Sequence, residues 1–255
     1  MDGCNEINHV KEDFKFVALL KACAKKKNLY EGTKLHGDIL KKRGLLEKSP
    51  YLACTLISMY AKCGMIAKAQ AVLDHLPYRN VVCWNALISG YAHQGLGHEA
   101  LVCFSQMRKE GFLPNVVTFL CVLKACGSIG AIDRGEKIHD EIVEKGLLAR
   151  NVALGTSLVD MYAKCGMVRK AEVMHGKLCV RDVVSWTALI AGYAQQDQGH
   201  EALKCFEEMK SDGVSPNSIT FTFALKACSS CGDIAKGKQI HDEIASRGFL
   251  ERDIM

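Results

Sequence analysis

Two sets of residues in this sequence have the types and spacing to do chemistry. His139-Asp140-Glu141, followed much later by Cys228 and Cys231, has the order of a zinc site that activates water for deamination. In that pattern, H-x-E then P-C-x-x-C, one His and two Cys hold the metal and the Glu moves the proton. The second set is amides, hydroxyls and carboxylates: Asn85 with Asn115, Thr156 with Asp182, Thr187 with Asn217. Such groups match donor and acceptor patterns and break no bonds. Register decides between the two. The HDE triplet recurs at residues 241–243 and, as HGD, at 36–38; Ala227 stands where the zinc pattern needs Pro. Ile129 and Lys26 occupy the slot of Cys231 in matching segments, and no spacing supplies the two further ligands a structural zinc would need. No catalytic residue, metal or cofactor is therefore expected, and the chain reads as a non-enzyme.

That register comes from an internal repeat. Residues 81–115 return at 183–217, shifted by 102 positions, with 21 of 35 residues identical. Self-similarity over such a length signals a repeat architecture, in which units stack and no single core enlarges. Residues 116–151 and 218–253 form a second pair, opening VVTFLCVLKAC and SITFTFALKAC. Residues 50–80 and 152–182 form a third and shorter pair, carrying ISMYAKCGM and VDMYAKCGM. A further copy of the 36-residue type, with one extra residue near 41–43, occupies 13–49, and residues 1–12 form an N-terminal extension. Seven units thus run long, short, standard, long, short, standard, long.

Seven of the 13 Cys fall into the same register: Cys23, Cys126 and Cys228 share one slot, Cys63 and Cys165 another, Cys103 and Cys205 a third. Cys flanked by Ala, Leu and Phe at repeated slots acts as a small buried apolar residue, which points to a reducing compartment and away from a disulfide framework. The chain of 255 residues is 49% hydrophobic with a net charge of +5, a mild basic excess that is compatible with an anionic partner without nominating one. No apolar run reaches the length of a membrane span. The opening MDGCNEINHVKEDF has neither the apolar stretch of a secretory signal nor the Arg- and Ser-rich character of a transit peptide.

Each unit reads as two helices. In residues 81–115, Trp84, Leu87, Ile88 and Tyr91 recur at spacings of three and four before Gly95 and Gly97 interrupt them. A second amphipathic run from His98 carries Leu101, Phe104 and Met107 and ends at Gly111 and Pro114. One such hairpin cannot bury both apolar faces, so neighbours must stack on it. The expected fold is all-α, a right-handed α-solenoid superhelix of stacked helical hairpins.

The strings VVxWNALIxGYAxxGxxxEALxxFxxMxxxGxxPN, VLKACxxxGxxxxGxxIHxxI and LxxMYAKCGxxxxA resemble the plant pentatricopeptide repeat family, in its subclass that alternates standard, long and short repeats. The resemblance covers residues 13–253. It implies binding of single-stranded RNA at one base per unit, read by the fifth and the last residue of each unit. Carried onto this chain, Asn85 with Asn115 is similar to a pyrimidine reader, Thr156 with Asp182 to a guanine reader, and Thr187 with Asn217 to an adenine reader. Thr222 with Asp253 resembles a guanine pair in a unit type that follows the code loosely. Cys54 with Asn80 departs from the usual pairs because a thiol is a poor donor. Val17 with Ser49 and Leu120 with Asn151 lack a polar reader. At the second position Val82, Val117, Val184 and Ile219 would flank each base through apolar contact, or alternatively serve as β-branched packing at helix entry. For the Asn and Thr residues the alternative role is N-capping of the first helix.

The resemblance further implies a specificity factor for C-to-U editing or other processing of organelle RNA, in mitochondrion or chloroplast. Such a factor lacks its own catalytic domain, and a deaminase or editing cofactor is supplied in trans. Neither DNA nor membrane is an expected partner. The sequence stops as an eighth unit would begin, which favours a piece of a longer chain. Two other readings remain open at this point: a protein-binding helical-repeat scaffold, and a truncated remnant without function.

Overall fold

The computed structural model describes residues 3–42 and 44–248, with side chains from Asp13 onward. Among the described residues there are fifteen α-helices, one 3₁₀ turn and no strand. The helices are α1 (Gly3–Lys26), α2 (Leu29–Lys41), α3 (Leu45–Lys48), α4 (Pro50–Lys62), α5 (Ile66–His75), α6 (Val81–His93), α7 (Gly97–Lys109) and α8 (Val116–Ile129). They continue as α9 (Ile132–Glu144), α10 (Val152–Lys164), α11 (Val168–Gly176), α12 (Val183–Gln195), α13 (Gly199–Ser211), α14 (Ser218–Cys231) and α15 (Ile234–Ser246). Helix α1 passes through residue 13 without a break.

Two compact units divide the chain, residues 1–125 and 126–255. In the first, α1, α4 and α6 lie side by side as a row, and α2, α5 and α7 each pack back on the first helix of their own hairpin. In the second, α10, α12 and α14 make the row, backed by α11, α13 and α15. All six of these hairpins are legible in the helical periodicity. Two of the three long segments carry an extra turn before the next hairpin, α3 in one and the 3₁₀ turn Leu148–Arg150 in the other, and the end of the third lies outside the described residues.

The rows are close because small residues stand where the first helices meet. A Cβ on Gly90 would sit 2.6 Å from the Cβ of Ala61, and one on Gly192 would sit 3.1 Å from that of Ala163. The Gly-Tyr-Ala and Tyr-Ala-Lys strings are thus two sides of one contact. Around it Leu56, Ile57, Leu87 and Ile88 in the first unit, and Leu158, Val159 and Ile190 in the second, are wholly buried. Burying an aliphatic side chain of this size contributes about 1.5–3 kcal/mol. Hairpin turns need a left-handed residue after the first helix. Gly95 supplies it at φ 75°, and at the matching slot Asp197 adopts φ 56°, a conformation that Asp tolerates at a small cost.

Buried Cys follow the sequence expectation at most slots: burial pushes the thiols of Cys103, Cys126 and Cys205 up to about 12. The exception is a correction. Cys54 and Cys83 form a disulfide, with Cα atoms 4.6 Å apart. Neither residue belongs to a shared Cys slot. They meet because the fifth residue of one first helix faces the third residue of the next, a juxtaposition that comparing equal slots does not expose.

His175 on α11 is buried and packs edge-on against Trp186, with ring centroids 4.2 Å apart. Its Nε2 has no hydrogen-bond partner among the described residues. Burial first, and then the Arg181 guanidinium, lowers its pKa to about 4. The unfolded chain therefore takes up a proton near pH 6.5 that the fold refuses until near pH 4, so stability is full above that window and falls as pH drops through it. Urea unfolding at pH 7 and pH 5 should show the native protein losing about 2 kcal/mol more than His175→Phe. An equal loss in both proteins would remove His175 as the cause.

Candidate nucleic-acid interface

Each first helix after the opening ones starts on the last residue of the preceding segment. Asn80 Oδ1 accepts from the Cys83 N–H at 2.9 Å, Asp182 Oδ1 from Ser185 at 2.8 Å and Asn217 Oδ1 from Thr220 at 2.9 Å. Asn115 Oδ1 does the same for Thr118 at 3.1 Å. The capping role is therefore real for these last-position residues. The third helical residue returns the bond: the N–H groups of Asn115, Asp182 and Asn217 donate to the hydroxyls of Thr118, Ser185 and Thr220 at 3.1, 3.1 and 3.3 Å. This reciprocal capping box satisfies two donors that a helix start would otherwise leave open.

The fifth residues do not cap. Asn85, Thr156 and Thr187 lie within the second turn of their helices and lean toward the cap of the next hairpin. Asn85 Nδ2 donates to Asn115 Oδ1 at 3.1 Å, and Thr118 Oγ1 donates to Asn85 Oδ1 at 2.7 Å. Thr187 and Thr220 share a 2.7 Å hydroxyl–hydroxyl bond, while Thr156 Oγ1 stands 3.5 Å from Asp182 Oδ2. Residues about thirty positions apart in sequence thus form three polar clusters, each with a nearly buried fifth residue and a more accessible last one. In the second unit the cluster opens into a cleft of about 270 Å³, lined by Val184, Thr187, Ala191, Asn217, Ile219 and Phe223.

The remaining candidates behave differently. Cys54 Sγ lies 3.5 Å from Asn80 Oδ1, but its bond to Cys83 leaves it no proton to donate. Val17 and Ser49 are buried, and Ser49 caps α4 through the Leu52 N–H. Leu120 is half-buried, and Asn151 turns its amide to the Leu147 carbonyl. Thr222 is exposed and donates to the carbonyl of Ser218 in its own helix. Asp253 lies outside the described residues. Sequence reasoning missed the third-position residues Thr118 and Thr220. Their signal was a hydroxyl three residues past an Asn, the capping-box spacing.

Val82, Val117, Val184 and Ile219, at the second helical position, are 57%, 51%, 54% and 57% exposed. Packing at helix entry does not account for side chains that open to solvent. In the second unit Val184 and Ile219 stand on the walls of the cleft that holds Thr187 and Asn217.

The histidines of the HDE and HGD strings have partners in the fold. His139 Nδ1 lies 2.8 Å from the Tyr162 hydroxyl, and His36 makes the same 2.8 Å contact to Tyr60. Burial is the main cause that lowers the pKa of both. Cys231 Sγ sits 3.7 Å from the carbonyl of Cys228. Among the described residues no three His, Cys, Asp or Glu side chains converge as metal ligands would.

Stacked helical hairpins, three of which bring a polar fifth residue against the cap of the next, define a helical-repeat protein. Models of the PPR repeat family match residues 79–128 and 181–230, and those of the PPR repeat match 53–81, 117–147 and 156–183. The chain belongs to the PPR repeat family. It is 37% identical over 92% of its length to a chloroplastic pentatricopeptide repeat-containing protein of Arabidopsis thaliana, covering 38% of that protein. A putative mitochondrial pentatricopeptide repeat-containing protein of the same plant is 40% identical over 90% of this chain, which covers 36% of it. The chain thus spans a little over a third of these relatives' length. Among solved structures, the pentatricopeptide repeat protein PPR10 in complex with an 18-nt psaJ RNA element superposes with a TM-score of 0.78 at 22% identity, over 91% of this chain and 35% of that one. The helical-hairpin solenoid fold is shared.

Capping and any reading role can be separated at Asp182. Asp182→Ala should lower stability by about 1 kcal/mol, while Asp182→Asn keeps most of it because an amide oxygen still accepts from the Ser185 N–H. Thermal unfolding of the two variants compares them; equal losses would show that the cap bond is not what Asp182 contributes.

Proposed function

We propose that this chain binds single-stranded RNA in a sequence-specific manner, one base to each hairpin, with the fifth and last residues of a unit reading the base edge. The observation that supports it most is the cleft that brings Thr187 and Asn217 together with the exposed apolar side chains of Val184 and Ile219, with Asp160, Lys164 and Gln195 also in its lining. A base held by two β-branched side chains gains apolar contact whatever its identity, and the Thr187 and Asn217 polar groups select among identities. PPR10, the structural neighbour, was solved with an RNA element bound, which supports the same class of ligand.

On this reading Asn85 with Asn115 selects a pyrimidine, Thr156 with Asp182 guanine, and Thr187 with Asn217 adenine. The disulfide removes Cys54 from the readers, leaving its base unselected. The target core is pyrimidine-N-G-A along the chain. The role is that of a specificity factor in editing or other processing of organelle RNA, which recruits a deaminase or other enzyme and supplies no catalytic group itself. Relatives named chloroplastic and mitochondrial favour an organelle as its place of work.

Selection from a randomised single-stranded RNA pool should enrich pyrimidine-N-G-A. Thr187→Asn should shift the A position toward pyrimidine, and binding should weaken steeply as salt rises. A pool left without enrichment, or an enrichment that the substitution does not move, would remove the base-reading assignments in favour of a protein-binding scaffold.

A further inference from the structure

We propose that the third residue of the following hairpin, Thr118 for Asn85 and Thr220 for Thr187, is a positioning residue that decides which hydrogen-bonding face the reader turns to the base. The inference rests on the base-reading assignment above and adds a residue to it.

The argument is a count of protons and lone pairs. Thr220 is wholly buried, and its hydroxyl has three neighbours within bonding distance: Thr187 Oγ1 at 2.7 Å, Asn217 Oδ1 at 2.9 Å and the Asn217 N–H at 3.3 Å. A hydroxyl has one proton and two lone pairs. Asn217 Oδ1 can only accept, so the Thr220 proton goes there, and both lone pairs of Thr220 receive protons from Thr187 and from the Asn217 N–H. Thr187 has then spent its proton and faces the cleft as an acceptor. Asn217 Oδ1 already takes bonds from the N–H and O–H of Thr220, which leaves its amide Nδ2 as the donor. An acceptor beside a donor complements the N6 amino group and N1 of adenine.

At Asn85 the same device yields the opposite polarity. Asn115 Oδ1 is identified as oxygen by the Thr118 N–H that it accepts at 3.1 Å. The atom of Asn85 that approaches Asn115 Oδ1 at 3.1 Å must then be Nδ2, since two oxygens there would repel. Its carbonyl faces Thr118, also wholly buried; that hydroxyl lies 3.1 Å from Asn115 Oδ1 as well, but Asn115 Oδ1 already takes the Thr118 N–H and the Asn85 amide, so the proton goes to the nearer Asn85 Oδ1 at 2.7 Å. The second N–H of Asn85 is what remains to meet a base, and it suits the O2 acceptor that both pyrimidines carry. Asn115 Oδ1 and the Thr118 hydroxyl hold this orientation from the two ends of the amide, and loss of the hydroxyl leaves the Asn115 contact alone to oppose its flip. Thr156 stands outside the device: Ser185 Oγ turns to the backbone carbonyl of Asp182, and Thr156 approaches the carboxylate directly.

The test uses the full chain and four synthetic single-stranded RNAs that differ only at the base opposite Thr187. Thr220→Val keeps the shape and removes the hydroxyl; Thr220→Ser keeps the hydroxyl. The native protein and Thr220→Ser should prefer adenine equally, and Thr220→Val should lose about threefold to tenfold of that preference, the worth of one hydrogen bond. Thr118→Val, with RNAs varied opposite Asn85, repeats the test in the other compact unit should Thr220→Val fold poorly, and circular dichroism reports folding for each variant. Weakening of all four RNAs by the same factor would show a structural role only and overturn the inference. Unchanged preference in a folded Thr220→Val, with preference lost in Thr187→Val, would overturn it while leaving the base-reading assignment intact. Absence of any preference in the native protein would overturn the assignment itself.

Discussion

The reciprocal cap at the start of α8, α12 and α14 is the interaction on which the polar clusters depend. A side-chain oxygen of the preceding residue accepts the third N–H, and the third side chain accepts the N–H of the capping residue. Each such box contributes about 1 kcal/mol. Its larger effect is geometric, since it ties the last residue of one segment to the first turn of the next helix. At the α4–α6 and α10–α12 interfaces the first helices approach through Gly90 and Ala61 or Gly192 and Ala163, and there Cys54 reaches the cap at Asn80 and Thr156 the cap at Asp182. Capping, close helix approach and the polar cluster are therefore one arrangement.

This arrangement makes the clusters of one chain differ in chemistry while sharing a frame. The frame needs an acceptor at the last position and a compatible small side chain at the third, and it tolerates Asn or Thr at the fifth. Where Cys occupies both the fifth and third positions, the same closeness yields a disulfide and the cluster loses its donors. Where the fifth residue is Thr222, its hydroxyl turns to the Ser218 carbonyl instead. The ion pairs Arg79–Glu110 at 2.7 Å and Arg181–Asp212 at 3.3 Å recur at matching positions on the backs of the hairpins, so the frame repeats there as well.

Much of the fold was legible before any coordinates. The run at spacings of three and four from Trp84 to Tyr91 falls inside α6, the run from His98 to the stop at Gly111 brackets α7 to within two residues, and the 102-residue register explained why His139 belongs with His241. The structure then supplied the reason for that His, a bond to the tyrosine of the next first helix. The pairing of Asn85 with Asn115 was legible only through the family resemblance. Nothing in local sequence separates a capping Asn from a reading one, and Asn115 has the geometry of a cap together with a free amide.

By itself the sequence determined the helices, their pairing into hairpins and the repeat that stacks them, because apolar periodicity and turn residues act over a few positions. Only the tertiary structure decided what the fifth residue of each hairpin meets. That meeting joins residues some thirty positions apart on neighbouring first helices, and its polarity is set by where single protons go. The disulfide of Cys54 with Cys83, and the contacts of the Thr118 and Thr220 hydroxyls with the fifth residues of the preceding hairpins, were invisible for the same reason. Each is ordinary in its own helix and takes its role from the helix beside it.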